Sequence, residues 1–530
     1  MRESSSSFPP HNNTSNAIHK FWNTIKCCSS SSTSASFLFI SLFICTLFFT
    51  QWSHYIYFPH STSTTNSLQF SNWTTLSNNN ISHDYPKKDG YVLNCSSSKA
   101  LTITCPPNYP PSNRNHKNFP SNQTCPDYFR WIHEDLKPWK KEGITREMVE
   151  SLKEKAHFRL VIVNGTAYVK EYMKAYQTRD VFTYWGVLQV LKLYPGALPD
   201  LDLVFQCHDK PSIMKKQYRG WRAFVFGSRD PPPQFHYCGG DSTFDIVFPD
   251  WSFWGWPEVN VKPWVPLEKD LAEGNTMKNW TSREPFAFWK GNLRNGPRPK
   301  LAKCNSVNKW NAQIIDQDWI KESREGFKDS DLSKQCVHRY KIYMEGNAWS
   351  VSEKYILACD SMSLLIDPKY YDFFTRSLVP MKHYWPVNTM RLCKSINFAI
   401  NWGNNNTKKA QEIGKEGSKY IFEQIKIENV YDYMFHVLNE YAKLLKYKPT
   451  IPEGAVELCS DRFACSPMGL ETTYKIETMV NGPSEQGPCE LPPSYEPLTL
   501  KSIHDQNAKI KEQVLAWEKE NYGWSWWTWW

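Results

Sequence analysis

Residues 201–211 read LDLVFQCHDKP. The apolar run 201–207 reads as a short buried strand, and it stops at once in His208, Asp209, Lys210 and Pro211. In open parallel sheets, ligands gather beyond the carboxyl ends of the strands. A carboxylate at that place can accept the proton of an attacking hydroxyl. It can equally cap its own loop, because Asp is a common turn former. Spacing alone leaves both readings of Asp209 open.

Signals on either side fit the same kind of sheet. Upstream, FRLVIV and TAYV flank Asn164-Gly165, the pattern of a hairpin with a tight turn. Ile144, Met148 and Leu152 recur at helical spacing. A helical stretch over 182–193 ends at Pro195-Gly196. Downstream, 286–289 and 363–366 read as buried strands, and 350–359 and 430–445 as helices. Strands alternating with helices predict an α/β fold with parallel sheets. A chain of 530 residues has room for two such halves with a cleft between them.

Three further stretches could carry chemistry. The strand at 286–289 leads into Lys290, Gly291 and Asn292, then Arg294, Gly296 and Arg298. Such a glycine-bearing basic loop can offer N–H groups and cations to a diphosphate, or be an ordinary solvated loop. It lacks the G-K-[ST] ending of a Walker loop. Residues 346–361, GNAWSVSEKYILACDS, place Gly346, Ser350, Ser352, Glu353 and Lys354 around a helix start. That start can face an anion, and Ser350 with Glu353 can form a capping box. Residues 248–260, FPDWSFWGWPEVN, bring Trp251, Phe253 and Trp254 together, as the wall of a sugar pocket or as core.

The order of these pieces resembles glycosyltransferase family ninety, the Rumi-like protein O-glucosyltransferases and fungal capsule-associated xylosyltransferases, in a plant-like version. The resemblance spans roughly residues 125–445. It rests on the strand followed by His-Asp-Lys-Pro at 208–211, FPDWSFWG at 248–255, FWKGN with a following Arg at 288–298, the 346–361 stretch, Asp367, and KHYWPV at 382–387. It implies a GT-B-type fold, two Rossmann-like halves holding the donor between them. It implies inverting, metal-independent transfer of glucose or xylose from a UDP-sugar to a hydroxyl of a protein or polysaccharide. It also places the catalytic base on Asp209 and donor contacts on Lys290, Gly291, Arg298, Gly346, Ser350, Ser352, Glu353 and Lys354. Animal members carry an Arg at the position of Ser352, so Lys354 or Arg298 is expected to stand in for that cation. No metal or cofactor is expected. Asp200-Leu201-Asp202 opens a strand and Asp316-Gln317-Asp318 reads as a local turn, although Asp pairs alone do not exclude a metal. The alternative is a carbohydrate-binding membrane protein without turnover. A glycoside hydrolase would need a second carboxylate flanking one bond, and none stands out.

The remainder of the chain points to the secretory pathway. Residues 1–34 are Ser/Asn-rich and read as a disordered cytosolic tail. Residues 35–58 begin ASFLFISLFICTLFFT and predict a signal anchor. Arg2, Lys20 and Lys26 precede it and no Lys or Arg follows before Lys87, which places the body in the lumen as a single-pass type II protein. Residues 59–124, rich in Ser, Thr, Asn and Pro, predict a stem. Residues 125–500 predict the lumenal domain, and 501–530 a C-terminal helix and Trp-rich tail. The ending WSWWTWW is not a Lys-Asp-Glu-Leu-type signal, which favours the Golgi membrane over the endoplasmic reticulum. Of fifteen cysteines, Cys27, Cys28 and Cys45 lie in or before the anchor, and the other twelve, without CxxC spacing, predict disulfides. Asn72, Asn80, Asn94, Asn122, Asn164, Asn279 and Asn405 each open a glycosylation sequon. The net charge of +9 comes without a basic run interleaved with aromatics, so nucleic acid is not the expected partner. The expected partners are the nucleotide sugar, a protein or glycan acceptor, and the membrane.

Overall fold

The computed structural model describes residues 123–218, 230–465 and 469–522. The predicted tail, anchor and nearly all of the stem lie outside these residues, as do the sequons at Asn72, Asn80, Asn94 and Asn122 and the Trp-rich end from Trp524. Among the described residues no helix is long and apolar enough to cross a membrane. The sequons at Asn164, Asn279 and Asn405 are all exposed.

The hairpin forms as its turn sequence dictates. Strands β1 (Phe158–Val163) and β2 (Thr166–Glu171) pair antiparallel from Phe158↔Glu171 to Val163↔Thr166. Asn164 and Gly165 take φ of 50° and 76°, the two positive values that a two-residue type I′ turn requires. Helix α1 (Arg179–Leu193) follows and is buried on most sides. It leads to β3 (Leu201–Phe205), every residue of which is buried. Strand β3 runs antiparallel to β1 and parallel to β4 (Gln234–His236), which is parallel to β6 (Ile246–Val247). Between them, β5 (Gly239–Gly240) leaves this sheet. The first sheet is therefore mixed, and the expected parallel arrangement holds only from β3 outward. The tight Asn-Gly turn is the reason, since a two-residue loop can join only antiparallel strands.

The second sheet is parallel throughout. After α2 (Trp264–Thr276) come β7 (Glu284–Gly291), β8 (Ala312–Asp316), β9 (His338–Tyr343), the short helix α3 (Ser352–Leu357), β10 (Met362–Ile366), β11 (Tyr370–Tyr371) and β12 (Trp385–Val387). The order across the sheet is β12-β10-β9-β7-β8. The chain steps from β7 outward to β8, then returns to the opposite side of β7 to form β9. The carboxyl ends of β7 and β9 thus flank a topological switch point, the crevice where open parallel sheets bind ligands.

Helices close the unit. Helices α4 (Leu392–Asn405) and α5 (Thr407–Gln424) pack on the second sheet. Helix α6 (Ile427–Ala442) crosses back onto α1 and β3, and Tyr441 Oη donates to the carbonyl of Asp202 at 2.9 Å. Strand β13 (Val456–Leu458) then completes the first sheet beside β2. The last helix, α7 (Pro497–Asn521), returns to the second sheet region, burying Val514 there. Ser395 donates to its Glu518 at 2.7 Å, so α7 is part of the fold.

The two sheets are joined at several points. Strand β11 pairs antiparallel with β5, Tyr371 opposite Gly239. A Cβ at Gly239 would lie 2.6 Å from the Tyr371 ring, so this close approach needs glycine. Lys354 on α3 forms an ion pair with Asp250 at 2.8 Å, the two side chains only 1% and 2% exposed. Tyr355 Oη donates to Ser252 Oγ at 2.9 Å beside it. One hydrophobic core runs through this junction, from Phe205 and Trp251 to Trp349, Tyr355 and Phe373. A second lies against the other sheet and includes Ile314, Tyr340, Leu364 and Trp385.

Disulfides hold the ends of this arrangement. Cys125 bonds to Cys489, Cys304 to Cys393, and Cys336 to Cys359. Cys459 and Cys465 are also disulfide-bonded, whereas Cys207 and Cys238 are free and buried. Alkylation of the denatured, unreduced protein followed by peptide mapping should therefore label Cys207 and Cys238 and spare the other eight cysteines among the described residues. Labelling of Cys125 or Cys336 under those conditions would contradict this pairing.

Candidate active site

Strand β3 ends in a turn that is built to hold a carboxylate. The Cys207 N–H donates to His157 Nδ1 at 3.0 Å, and the Cys207 carbonyl accepts from Arg179 Nη1 at 3.0 Å. Burial holds the His157 imidazole down to about 4, so it stays neutral and able to accept. Arg179 opens α1, and its guanidinium stacks over the Trp251 ring at 4.5 Å. The same Nη1 reaches Asp209 Oδ1 at 2.9 Å. Asp209 Oδ2 accepts from Asn347 Nδ2, also at 2.9 Å. Both partners are far away in sequence, which is not the arrangement of an Asp capping its own turn.

The electrostatics keep this carboxyl ionised. Burial alone raises its pKa, but the Asn347 amide donor and the Arg179 guanidinium outweigh burial and hold it below the usual Asp value. The side chain remains 38% exposed, so an incoming group can reach it. His236, at the end of β4, lies near and is held down to about 3 by burial; it carries no charge here.

The other wall of the cleft comes from the β7–β9 switch point. Arg298 lies in the loop after β7, and its Nε and Nη2 donate to the Met344 carbonyl at 3.3 and 3.2 Å. Nη2 also donates to Ser350 Oγ at 3.1 Å. Ser350 Oγ lies 3.0 Å from Ser352 Oγ. Burial lowers the Arg298 pKa, and the Tyr343 and Asp209 side chains oppose that shift. The two regions meet through Asn347, three residues before Ser350, whose amide reaches Asp209. Gly296 lets the β7 loop lie directly on the loop after β9: a Cβ there would sit 1.7 Å from the Gly346 carbonyl oxygen. Gly346 in turn lies against the Arg298 guanidinium, 3.6 Å from a hypothetical Cβ.

Several residues expected to contact the donor are engaged by partners within the protein. Lys290 Nζ is bound to Glu322 Oε1 at 2.7 Å and to the Asp329 carbonyl at 2.6 Å. It is only 10% exposed, so that pair consumes its charge within the β7–β8 region. Gly291 beside it accepts the Gln317 N–H at 2.8 Å through its carbonyl. Lys354 is sealed in the Asp250 ion pair and faces Phe253 and Tyr355. Glu353 is also buried, and burial pushes its carboxyl well above the ordinary range. The expected capping box is absent: Ser350 turns its hydroxyl to Arg298, and α3 begins at Ser352 with Val351 before it. The predicted 350–359 helix is six residues long, Ser352–Leu357.

The aromatic stretch divides in two. Phe253 and Trp254 are core residues, not pocket lining. Phe253 packs on Trp264 and Phe373, while Trp254 fills the space left by Gly186 and donates Nε1 to Tyr431 Oη at 3.0 Å. Trp251 does border the site, edge-on to Tyr237 at 4.9 Å and to Trp349 at 6.1 Å. The indole N–H groups of Trp251 and Trp349 and Nε of Arg179 have no protein acceptor. Buried donors without an acceptor cost about 1–3 kcal/mol each. Sequence reading missed Arg179, Tyr237 and Trp349 as site residues. Only the position of Arg179, just ahead of a predicted helix and close to the β3 strand, hinted at its role.

Other acidic groups are occupied structurally. Asp202 receives both Arg159 donors, at 2.7 and 2.6 Å, and Asp200 accepts the Asn164 N–H. Asp316 accepts the Leu293 N–H, and Asp318 caps the turn that follows it. Cys125, His436 and Cys489 lie close together, but the two sulfurs are bonded to each other. A cavity of about 840 Å³ lies between Thr243, Asp367, Tyr371 and the His504 face of α7; neither Asp209 nor Arg298 lines it.

Comparison with known proteins gives this geometry a family. Residues 120–518 match the family model described as Glycosyl transferase family 90. The chain is 26% identical over 330 residues to an "O-glucosyltransferase rumi homolog" of Anopheles gambiae, covering 59% of this chain and 77% of that protein. It is 25% identical over 362 residues to "Protein O-glucosyltransferase 1" of Homo sapiens, covering 64% and 87%. It is 23% identical over 350 residues to "O-glucosyltransferase rumi" of Drosophila melanogaster, covering 62% and 80%. The match takes in both sheets, the Asp209 turn, the Arg298 loop and most of α7, and this chain belongs to glycosyl transferase family 90.

Proposed function

We propose that the protein is an inverting, metal-independent O-glycosyltransferase that moves glucose, or alternatively xylose, from a UDP-sugar to a hydroxyl of a protein or polysaccharide. The observation that carries this reading is the ionised Asp209 carboxylate beyond β3, bound by Asn347 of the loop that also carries Ser350, the partner of Arg298, at the switch point of a parallel sheet. The names of the relatives favour glucose and a protein acceptor. Asp209 takes the proton of the acceptor hydroxyl as that oxygen forms its bond to the anomeric carbon. The bond from that carbon to the diphosphate oxygen breaks, UDP leaves, and the configuration inverts. Arg298, with the hydroxyls of Ser350 and Ser352, receives the charge that develops on the leaving diphosphate. In this reading the two sheets form a GT-B-type pair, and residues 35–58 anchor the protein in the Golgi membrane as a type II protein.

The test is to incubate the full-length protein with a panel of UDP-sugars, measure released UDP with and without acceptor and chelator, and determine the anomeric configuration of the product. Release of UDP in chelator with an inverted product supports the reading. A strict metal requirement or a retained configuration rejects it. Arg298→Ala should weaken the kcat/KM for donor by roughly 10- to 100-fold, the scale of hydrogen bonds to a charged group. Unchanged donor kinetics in that variant would remove Arg298 from the diphosphate site.

A further inference from the structure

Asp209 is held from two directions by partners of different kinds. Oδ1 is held by Arg179, a residue of its own sheet region that is buried, stacked on Trp251 and already bound to the Cys207 carbonyl. Oδ2 is held by Asn347, which comes from the opposite wall, in the loop between β9 and α3. Asn347 is exposed, lies one residue beyond Gly346, and is next to the Gly346–Arg298 contact. Each carboxylate oxygen has two lone pairs, so one amide donor still leaves Oδ2 able to take a proton.

We propose that Asn347 is a positioning residue for the reaction: its amide, reaching across the cleft, fixes the plane of the Asp209 carboxylate and couples its place to that of the diphosphate-facing loop. This inference rests on the reading of Asp209 as the base. The loop that carries Asn347 also carries Ser350, which is bound to Arg298. The donor-facing wall and the base are thereby linked through four residues of backbone. A donor that draws Arg298 and Ser350 inward moves Asn347, and with it the orientation of Oδ2. Asn347 also lowers the proton affinity of the carboxylate, because an N–H donor favours the charged form. Charged or titratable groups that act on Asp209 besides this neutral amide include Arg179, bound to Oδ1, His236, the thiol of Cys238 at its carbonyl, and, through the field across the loop contact, Arg298.

The test uses the full chain at saturating donor and follows acceptor kcat and kcat/KM against pH. Asn347→Ala removes the donor hydrogen bond. Asn347→Asp keeps the size but places a second carboxylate against the first. In both variants kcat should fall, by about tenfold for the loss of one hydrogen bond to a charged group. The acidic limb of kcat/KM should move to higher pH, further for Asn347→Asp than for Asn347→Ala. Loss of a donor raises a carboxyl pKa and a like charge raises it more, so activity is lost earlier as pH falls. A loop that merely holds its shape would give the same limb in all three proteins. If Asp209→Asn is inactive and the three limbs coincide, the role of Asn347 falls while the base reading stands. If Asp209→Asn is active, the base reading falls and takes this inference with it.

Discussion

Asp209→Asn is expected to lower the transfer rate by ~10²–10⁴-fold, the range over which a positioned general base contributes. The substitution keeps the size of the side chain and its ability to accept from Arg179 through the amide oxygen. What it loses is the ability to take a proton. The turn itself should survive, because its backbone is held independently by His157 and Arg179 at Cys207. The affinity for UDP should change little, since Arg298, Ser350 and Ser352 lie on the opposite wall. Calorimetric titration with UDP alongside a transfer assay separates the two effects. A folded Asp209→Asn protein with near-normal transfer would mean that Asp209 only ties the two walls together, and that the base lies elsewhere.

What sequence could and could not show divides along a physical line. Features fixed by neighbours in the chain were legible. The Asn164-Gly165 hairpin, the β3 strand with Asp209 beyond it, and the long helix before Pro195 are each specified within about fifteen residues. The resemblance assigned both the Arg298 loop and the 346–354 stretch to the donor, and in the fold those two loops lie against each other. Features fixed by distant partners were not legible. Lys290 after a strand looks like a free cation until Glu322, thirty-two residues on, is seen to hold it. Lys354 meets Asp250 across 104 residues, and Asp209 meets Asn347 across 138. The same limit applies to FPDWSFWG: Trp251 lies under Arg179, whereas Phe253 and Trp254 pack on Trp264, Phe373 and Tyr431, partners set by the fold and not by neighbours in the chain.

Lys354 shows most sharply how burial decides a charge's role. On sequence it is a donor-binding cation; in the fold it is the positive end of a closed network between the two sheets. Asp250 Oδ2 receives Lys354 Nζ at 2.8 Å, while Oδ1 accepts from Ser252 N–H at 2.8 Å and Ser252 Oγ at 2.5 Å. Ser252 Oγ also accepts from Tyr355 Oη, the neighbour of Lys354, at 2.9 Å. Lys354→Met keeps the length and packing of the side chain against Phe253 but leaves Asp250 buried without its counter-charge. Removing one partner of a buried pair costs about 3–5 kcal/mol, much more than an exposed pair would. The urea midpoint should fall accordingly, with the slope little changed. The double change Lys354→Met with Asp250→Leu removes both charges. It should recover part of the lost stability, although Ser252 then loses an acceptor. UDP affinity of the remaining folded Lys354→Met protein should stay close to that of the parent. The opposite pattern, an unchanged midpoint with UDP affinity lost, would require Lys354 to leave Asp250 for the diphosphate when donor binds, and would make the junction between the sheets a moving part of the catalytic cycle.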